Sequence, residues 1–441
     1  MPAEAGALSL RETIQATLET NPLIRAAEAN RRATDHELRQ SQALLLPNVR
    51  LEGDAGREKI DRPQGFAADV NDRWRTRRQI GVTVNQVVFD GWDIANRIYR
   101  DAARVDSAAL RALSRSETLA LSAIEAFVDV YRQRRVLIVA RKNVTRHRQI
   151  LRQVQTRKDG GRSNIGEVQQ VRERLTAANS ALLQIRQSLA NASAKFNRIV
   201  GRYPKQLRRP APPGKLPRTR HEAVDIGVSN NPLVLSANAD IDAAKSALDG
   251  SRSAYYPRLS LELRGGYGDN LNGTPGPNEE LSGRMVLNWN LFNGGARRAR
   301  SREFAERVAE AQAVRDSRMR EMVELIDRAM SAIGIGARRV RTAERQANVA
   351  LKVVRTYEEE FRLSKRSLLD LLDSESARFN AETQLIGARS VLLFAKYRLL
   401  GATGSLLQYF GIKTSNEMIA GTRESVQRRG LFSTTLPSLR E

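Results

Sequence analysis

The sequence predicts a mainly α-helical protein with a small β component, in which long coiled-coil helices are combined with two β-hairpins. In a chain of 441 residues, 28% of residues are charged and only 5% are aromatic, a composition typical of long helices. Apolar residues recur at intervals of seven, which places one apolar seam along a helix that supercoils against its neighbours. Short stretches after two prolines alternate apolar and polar residues, the pattern of β-strands.

The same landmarks occur in both halves of the chain. Asn21-Pro22-Leu23 recurs as Asn231-Pro232-Leu233, and Asn85 to Gly91 corresponds to Asn288 to Gly294. The heptad series are Val168, Leu175, Leu182, Leu189 and Phe196, and Leu372, Phe379, Ile386, Leu393 and Leu400. We therefore predict an internal duplication. The predicted divisions are a first repeat over 1–201, a Pro-rich linker over 202–218, a second repeat over 219–410 and a mobile or peripheral C-terminal tail over 411–441.

Each repeat is predicted to contain a helix, two strands, a long helix, a turn and another helix. In the first repeat the helices are expected over Ser9 to Leu45, Trp92 to Lys158 and Ile165 to Val200. Ser9 with Glu12, and Thr219 with Glu222, have the spacing of a capping box at a helix N-terminus. The five prolines of the linker exclude a continuous helix between the repeats.

The predicted hairpins follow Pro47 and Pro257, and their apolar residues alternate with polar ones. A half-buried soluble hairpin is one interpretation. Lipid could instead cover the apolar face, because no core for it is evident beside helices of this length. A sheet in lipid must close on itself, and four strands cannot. Three chains would supply twelve strands and leave a passage through the barrel.

The charge balance is strongly basic. Lys and Arg number 73 against 49 for Asp and Glu, giving a net charge of +24 and a pI near 10.9. Such a balance favours nucleic acid or an anionic membrane surface as a partner, although Arg can also simply solvate helix faces. A soluble basic coiled-coil scaffold that binds nucleic acid is therefore the alternative prediction. It does not account for the duplicated alternating strands.

Sequence features of an enzyme are sparse. The chain has no cysteine, which excludes disulfides, cysteine ligands and a lipidated cysteine. His36, His147 and His221 are scattered without metal-ligand spacing, so no catalytic, metal or cofactor site is expected. The start of the sequence lacks the pattern of a signal peptide, which we attribute to a trimmed or mis-started chain.

The order of these landmarks resembles the TolC family of outer-membrane channels. The shared features are the duplicated half, Asn-Pro-Leu near the start of each half, the Pro-led strand and the turn from Leu291 to Gly295, and they extend over Leu8 to Gly411. The resemblance implies a homotrimer, with a twelve-stranded β-barrel in outer-membrane lipid continued by an α-barrel across the periplasm. It further implies an exit duct for efflux or type I protein secretion, whose partners are a periplasmic adaptor and an inner-membrane ABC or RND transporter. No nucleic acid is expected, and the cargo stays open between polypeptides and small molecules.

The resemblance also assigns an entrance to the pore. Asp370 and Asp373 match the family's gate aspartates, and their i, i+3 spacing puts both carboxylates on one helix face. Arg366 matches an arginine that tethers the closed entrance, Glu167 stands at the position of its acidic partner, and Phe361 replaces a tyrosine. Without the resemblance, these residues would be interpreted as solvated charges at helix ends.

Overall fold

The computed structural model describes residues 7–60 and 73–428. In the first half the elements are α1 (Leu10–Thr20), α2 (Pro22–Ala43), β1 (Asn48–Glu58), β2 (Arg75–Phe89), α3 (Asp93–Asp159) and α4 (Ile165–Val200). In the second half they are α5 (Arg220–Asn230), α6 (Pro232–Ser251), β3 (Arg258–Asp269), β4 (Pro277–Asn288), α7 (Ala296–Arg362), α8 (Leu368–Ala402), α9 (Leu406–Tyr409) and α10 (Thr422–Arg428). The predicted combination of long helices with four strands is confirmed. The order of elements is the same in both halves up to α4 and α8, and the duplication itself stays a prediction from the sequence.

The prediction of one continuous helix from Ser9 to Leu45 is wrong. The helix ends at Asn21, whose backbone is extended (φ −74°, ψ 124°), and a new helix begins at Pro22. Pro22 has no N–H and is therefore suited to a first helical position. The Asn21 side chain accepts a hydrogen bond from the Leu23 N–H (3.0 Å) and donates one to the carbonyl of Ile199 (3.1 Å).

The second Asn-Pro-Leu motif has the same construction. Asn231 accepts from the Leu233 N–H (2.9 Å) and donates to the carbonyl of Ala402 (2.9 Å). Each motif thus separates two helices and fastens their junction to the C-terminal end of another helix, α4 or α8. In both motifs the Asn side chain fastens the junction and the Pro begins the second helix, whereas Leu23 and Leu233 are exposed and contribute their backbone N–H groups.

Only one of the two predicted capping boxes is complete. Ser9 Oγ accepts from the Glu12 N–H (3.2 Å), and Glu12 accepts from the Ser9 N–H (2.8 Å). Thr219 accepts from the Glu222 N–H (3.2 Å), but the Glu222 carboxylate accepts from the N–H of Arg218 (2.8 Å) instead of that of Thr219.

The four strands form one antiparallel sheet in the order β1-β2-β3-β4. Its register places Leu51 beside Val82, and Val84 beside both Val49 and Leu263, so apolar side chains share one face. Polar residues occupy the other face, where Arg264 lies between Thr83 and Ser282. Many side chains of the apolar face are exposed, namely Val49, Leu51, Ile80, Val82, Leu263, Tyr267, Leu281, Met285 and Leu287. Strands β1 and β4 each have a second edge without a neighbouring strand among the described residues.

Contacts divide the chain into two compact units. Within the described residues, the first comprises 7–28, 110–235 and 317–418, and the second comprises 29–60, 73–109, 236–316 and 419–428. These units are not the predicted repeats, because each unit contains segments from both repeats. The repeat boundaries therefore stay a prediction from sequence.

The core of the first unit surrounds Phe127 and Phe196, which are fully buried. The Pro-rich linker is fastened to this unit at several points. Tyr397 donates to the carbonyl of Ala211 (2.7 Å), and Arg134 donates to the carbonyl of Pro204 (2.6 Å). The linker is therefore held against the first unit by hydrogen bonds, although it has no regular secondary structure.

The core of the second unit packs α2 against α3 and includes Val426 of α10. Buried Asp106 accepts from the backbone N–H groups of Gly421, Thr422 and Arg423 at 2.8 to 3.2 Å. The Arg423 side chain also bonds to Asp106 (2.8 Å). The predicted tail over 411–441 thus has defined contacts up to Val426, and residues 429–441 lie outside the described residues.

Among the helices that the structure describes, none combines the length and the apolar character needed to cross a membrane.

A buried carboxyl group holds the start of α9 in the first unit. The two carboxylate oxygens of Glu117 accept from the backbone N–H groups of Leu406 (3.2 Å) and Leu407 (3.1 Å). Burial raises the pKa of Glu117 from 4.5 to about 7, although these two hydrogen bonds favour the charged form.

We predict that Glu117 makes stability dependent on pH. Because its pKa is raised on folding, its contribution is fully present below pH 4.5 and is lost as the pH rises through 7. Glu117→Gln cannot ionise, so the free energy of unfolding of the wild type should fall relative to that of the variant by about 3 kcal/mol across this range. Urea unfolding followed by circular dichroism at pH 4, 6 and 8 measures the difference, and a difference that does not change with pH would contradict the prediction.

Candidate pore entrance

Two helical turns carry the predicted entrance residues, and the sequence explains where each turn begins and ends. Helix α3 ends before Gly161, which has a positive φ of 73°, and the Asn164 side chain caps α4 by accepting from the Glu167 N–H (2.9 Å). Helix α7 ends before Ser364, whose φ is 59°, and Ser367 caps α8 by accepting from the Asp370 N–H (3.1 Å). Both turns lie in the first unit.

An apolar cluster joins the four helices next to these turns. Its buried members are Ile150, Val154, Val168, Val171, Phe361, Leu368, Leu371 and Leu372. Each of the four helices contributes at least one of these side chains, so the two turns are held together by packing. The charged residues around the turns are therefore arranged on a fixed framework.

Phe361 is part of this framework and is only 6% exposed. The guanidinium carbon of Arg157 lies 4.5 Å from the centre of its ring. Arg157 also donates to the carbonyl of Phe361 (2.9 Å) and to the hydroxyl of Ser364 (3.0 Å). Arg157, at the end of α3, thereby ties the first turn to the second, a contact that the sequence analysis missed.

Asp370 and Asp373 lie on one face of the first turns of α8, and both are about half exposed. Asp370 accepts from the Ser367 hydroxyl (2.8 Å) and has Arg366 at 3.8 Å. Asp373 pairs with Arg174 of α4 (3.0 Å). Both carboxylates remain accessible to solvent, but each already has a guanidinium beside it.

Arg366 and Glu167 have different partners within the chain. Arg366 donates to Glu360 (2.8 Å) and lies over the ring of Tyr357, 4.3 Å from its centre. The hydrogen bond to Glu360 raises the pKa of Arg366. The Glu167 carboxylate accepts from the hydroxyl of Ser163. A single chain therefore does not bring Arg366 and Glu167 together, and their pairing stays a prediction.

A buried charged network farther along the same helices was not predicted. The Glu375 side chain is fully buried, and it pairs with Arg146 of α3 (2.5 Å) and with Arg378 (2.9 Å). Arg146 also pairs with Glu358 of α7 (2.5 Å). Burial disfavours the charge of Arg146, but its hydrogen bonds to Glu358 and Glu375 raise its pKa overall. The network thus connects three helices through two carboxylates and two guanidinium groups.

A sequence signal for this network exists. Glu375 lies three residues after Leu372 and four before Phe379, so it occupies a seam position of the heptad series where an apolar residue is expected. A charge at such a position must be paired once it is buried. The signal identifies Glu375 but not its partner, because Arg146 is far away in the sequence.

The histidines have no shared site. His147 is buried, with Nδ1 2.9 Å from the carbonyl of Asn143, and His221 pairs with Asp225 at 2.6 Å. In the described part of the chain, no group of three His, Cys, Asp or Glu side chains is arranged to hold a metal ion.

We predict that Arg146→Met destabilises the helical region by about 1 to 3 kcal/mol, because it leaves the buried carboxylate of Glu375 with one partner fewer. Arg148→Met is the matched control, since Arg148 is exposed on the same helix. Urea unfolding followed by circular dichroism compares the two variants. Equal stability of Arg146→Met and Arg148→Met would show that the network does not stabilise the fold.

Comparisons with known proteins agree with this architecture. Residues 13–202 and 227–405 match the family described as outer membrane efflux protein. The chain is 23% identical over 407 residues to the outer membrane efflux protein BepC of Brucella suis, covering 91% of this chain and 87% of BepC. It is 23% identical over 457 residues to the alkaline protease secretion protein AprF of Pseudomonas aeruginosa, covering 99% of this chain and 92% of AprF.

A solved structure shows the same fold. The outer membrane protein VceC of Vibrio cholerae superimposes with a TM-score of 0.77 at 16% identity, covering 90% of this chain and 96% of VceC. The predicted resemblance to TolC-like channels is confirmed, and the alternative of a nucleic-acid-binding scaffold finds no support among the relatives. The family consists of transport channels rather than enzymes. With most of its length matched, the chain belongs to the outer membrane efflux protein family.

Proposed function

We propose that the chain is one protomer of a homotrimeric exit duct for efflux or type I secretion, which spans the outer membrane and extends into the periplasm. The observation that carries the proposal is the sheet, which connects directly to helices of 67 residues. It has one exposed apolar face and two edges that no strand of the described residues covers. At 1.5 Å per residue such a helix is about 100 Å long. A sheet of this kind needs a partner that covers its apolar face and further strands that pair with its edges.

Lipid is the proposed cover of the apolar face. The strands contain 11 to 15 residues, which suffices for a tilted strand to cross the hydrocarbon layer. Leu51 and Leu287 are 69% and 62% exposed in the chain by itself. Contact with lipid would remove these side chains from water and leave the polar face toward an aqueous passage.

Two further copies are the proposed closure of the sheet. The outer edges of β1 and β4 would leave backbone groups without hydrogen bonds in hydrocarbon, which is prohibitively unfavourable. Pairing of β1 with β4 of a neighbouring copy satisfies both edges. Three chains give twelve strands, which is wide enough for a passage, whereas two give eight strands and a filled interior.

The turns that follow α3 and α7 form the proposed entrance. Three copies of Asp370 and Asp373 would give the pore a ring of carboxylates, and such a ring favours cations. Arg366, Glu167 and Phe361 are proposed to belong to a latch that keeps the entrance closed. Since Arg366 and Glu167 have other partners within one chain, their pairing would have to occur between copies. Phe361 contributes packing to this latch and has no hydroxyl for it.

The proposed partners that open the entrance are a periplasmic adaptor and an inner-membrane ABC or RND transporter. The relatives support both kinds of system, because BepC is an efflux protein and AprF a secretion protein. The cargo is correspondingly a small molecule or a polypeptide. A conduit of this kind leaves the choice of cargo to the transporter.

Planar-bilayer recording tests the entrance assignment. Asp370→Asn with Asp373→Asn should shift the reversal potential in a KCl gradient toward weaker cation preference, because six carboxylates leave the pore of a trimer. Glu303→Ala with Glu306→Ala is the control, since it removes two exposed carboxylates at the same i, i+3 spacing on α7. A reversal potential that is unchanged in the Asp variant would reject the gate.

A further inference from the structure

A groove in the first unit lies outside the proposed entrance. It measures about 450 Å³, is open to solvent on one side and is lined by α3, α8 and the Pro-rich linker. From α3 it is lined by Val128, Tyr131 and Arg135, which lie on one face because they are spaced by three and four residues. From α8 it is lined by Ile386 and Leu393, one heptad apart. The groove thus runs between two helices.

The floor of the groove is apolar. Val128 is 5% exposed and belongs to the core around Phe127, and Leu393 packs against the same core. Pro210 and Pro212 of the linker close one side. A ligand that fills the groove would therefore bury apolar surface of its own.

The rim of the groove is basic. Arg135, Arg209, Arg389 and Lys396 line it, and none of the described residues that line it is acidic. Arg389 pairs with Glu344 (2.7 Å). In the described part of the chain, neither Arg135, Arg209 nor Lys396 has a carboxylate within ion-pair distance. The groove therefore has three cationic groups that pair with no carboxylate of residues 7–60 and 73–428.

The surrounding linker increases this positive charge. Between residues 202 and 218 it contains no Asp or Glu, and its basic side chains are all exposed, namely Arg202, Lys205, Arg208, Arg209, Lys215 and Arg218. Arg202 and Arg208 have Glu12 nearby. The exposed like charges that remain repel one another unless an anionic partner is present. The occupant of the groove should accordingly be acidic.

We propose that this groove is the docking site for an acidic amphipathic helix of a partner protein. The groove extends over eleven residues of α8, from Ile386 to Lys396, which is about 15 Å or three helical turns. A third helix packs along two others through apolar residues at heptad spacing, with charged residues beside the seam. Leucines of the partner would contact Ile386 and Leu393, and its flanking Glu or Asp side chains would pair with Arg135, Arg209 and Lys396.

The apolar floor favours a helix over a polyanion such as nucleic acid or an acidic polysaccharide. A polyanion would bind to the basic rim and leave the floor unused, so its affinity would depend on charge alone. A helix would depend on both the rim and the floor.

The test uses the purified full-length protein in detergent and a fluorescent synthetic helix of three heptads, with Leu at the a and d positions and Glu at e and g. The repulsion between its Glu side chains prevents pairing with itself. Arg135→Glu with Lys396→Glu should weaken binding about tenfold, which corresponds to about 1.4 kcal/mol. The control is Arg148→Glu with Arg152→Glu, which makes the same change of net charge on α3 outside the groove and should leave the affinity within about twofold.

A second variant separates the floor from the rim. Ile386→Ser should weaken binding of the helix but not of heparin, a polyanion without apolar groups. Equal losses in the groove and control variants, an unchanged affinity of Ile386→Ser for the helix, or a wild-type protein that does not bind the helix would each overturn the proposal. The last result is the one expected if another copy of the chain fills the groove. None of these readouts depends on the entrance residues, so the proposal stands or fails separately from the gate.

Discussion

The requirement that every backbone N–H and C=O group in hydrocarbon has a hydrogen-bond partner is the constraint on which the proposed assembly depends. Strands β2 and β3 satisfy it within one chain, because each has a neighbour on both sides. Strands β1 and β4 do not. In the proposed assembly one chain is therefore incomplete, and the proposal of a homotrimer rests on the open edges of the sheet together with the width that a passage requires.

The helical region meets a different constraint. Four helices must stay together near their turns and yet be separable if the entrance is to open. Apolar packing around Phe361 and Leu372 holds the helices together but does not specify which side chains pair. The ion pairs of Arg146 with Glu375 and Glu358 fix how α3, α7 and α8 pack, because a buried carboxylate that loses its partners is strongly disfavoured. When the turns separate, these ion pairs would thus still hold the helices together farther along.

Sequence reasoning predicted the elements better than their contacts. The strands after Pro47 and Pro257 and the heptad series had clear periodicities, and the structure contains the corresponding strands and helices. The break at Asn21 was missed because a proline is compatible with either a first helical position or a kink. The contacts of Arg157 with Phe361, and of Asp106 with Gly421, join residues that are far apart in the sequence, and no local pattern indicates such pairs.

The entrance residues illustrate the same limit. Asp370 and Asp373 were identified by resemblance, and their common helix face followed from spacing alone. The pairing of Asp373 with Arg174 of α4 depends on the packed helices, whereas Arg366 lies only four residues before Asp370. The basic groove could likewise not be predicted from the sequence, because its rim combines residues of α3, the linker and α8 that are far apart in the chain.

The mass of the protein tests the central claim most directly. The chain is expressed with an export signal, extracted from membranes and measured by light scattering, with the contribution of the detergent subtracted. A particle of three chains that requires detergent is the expected result, since only a closed sheet satisfies β1 and β4. A monomer or dimer that stays in solution without detergent would contradict the exit duct.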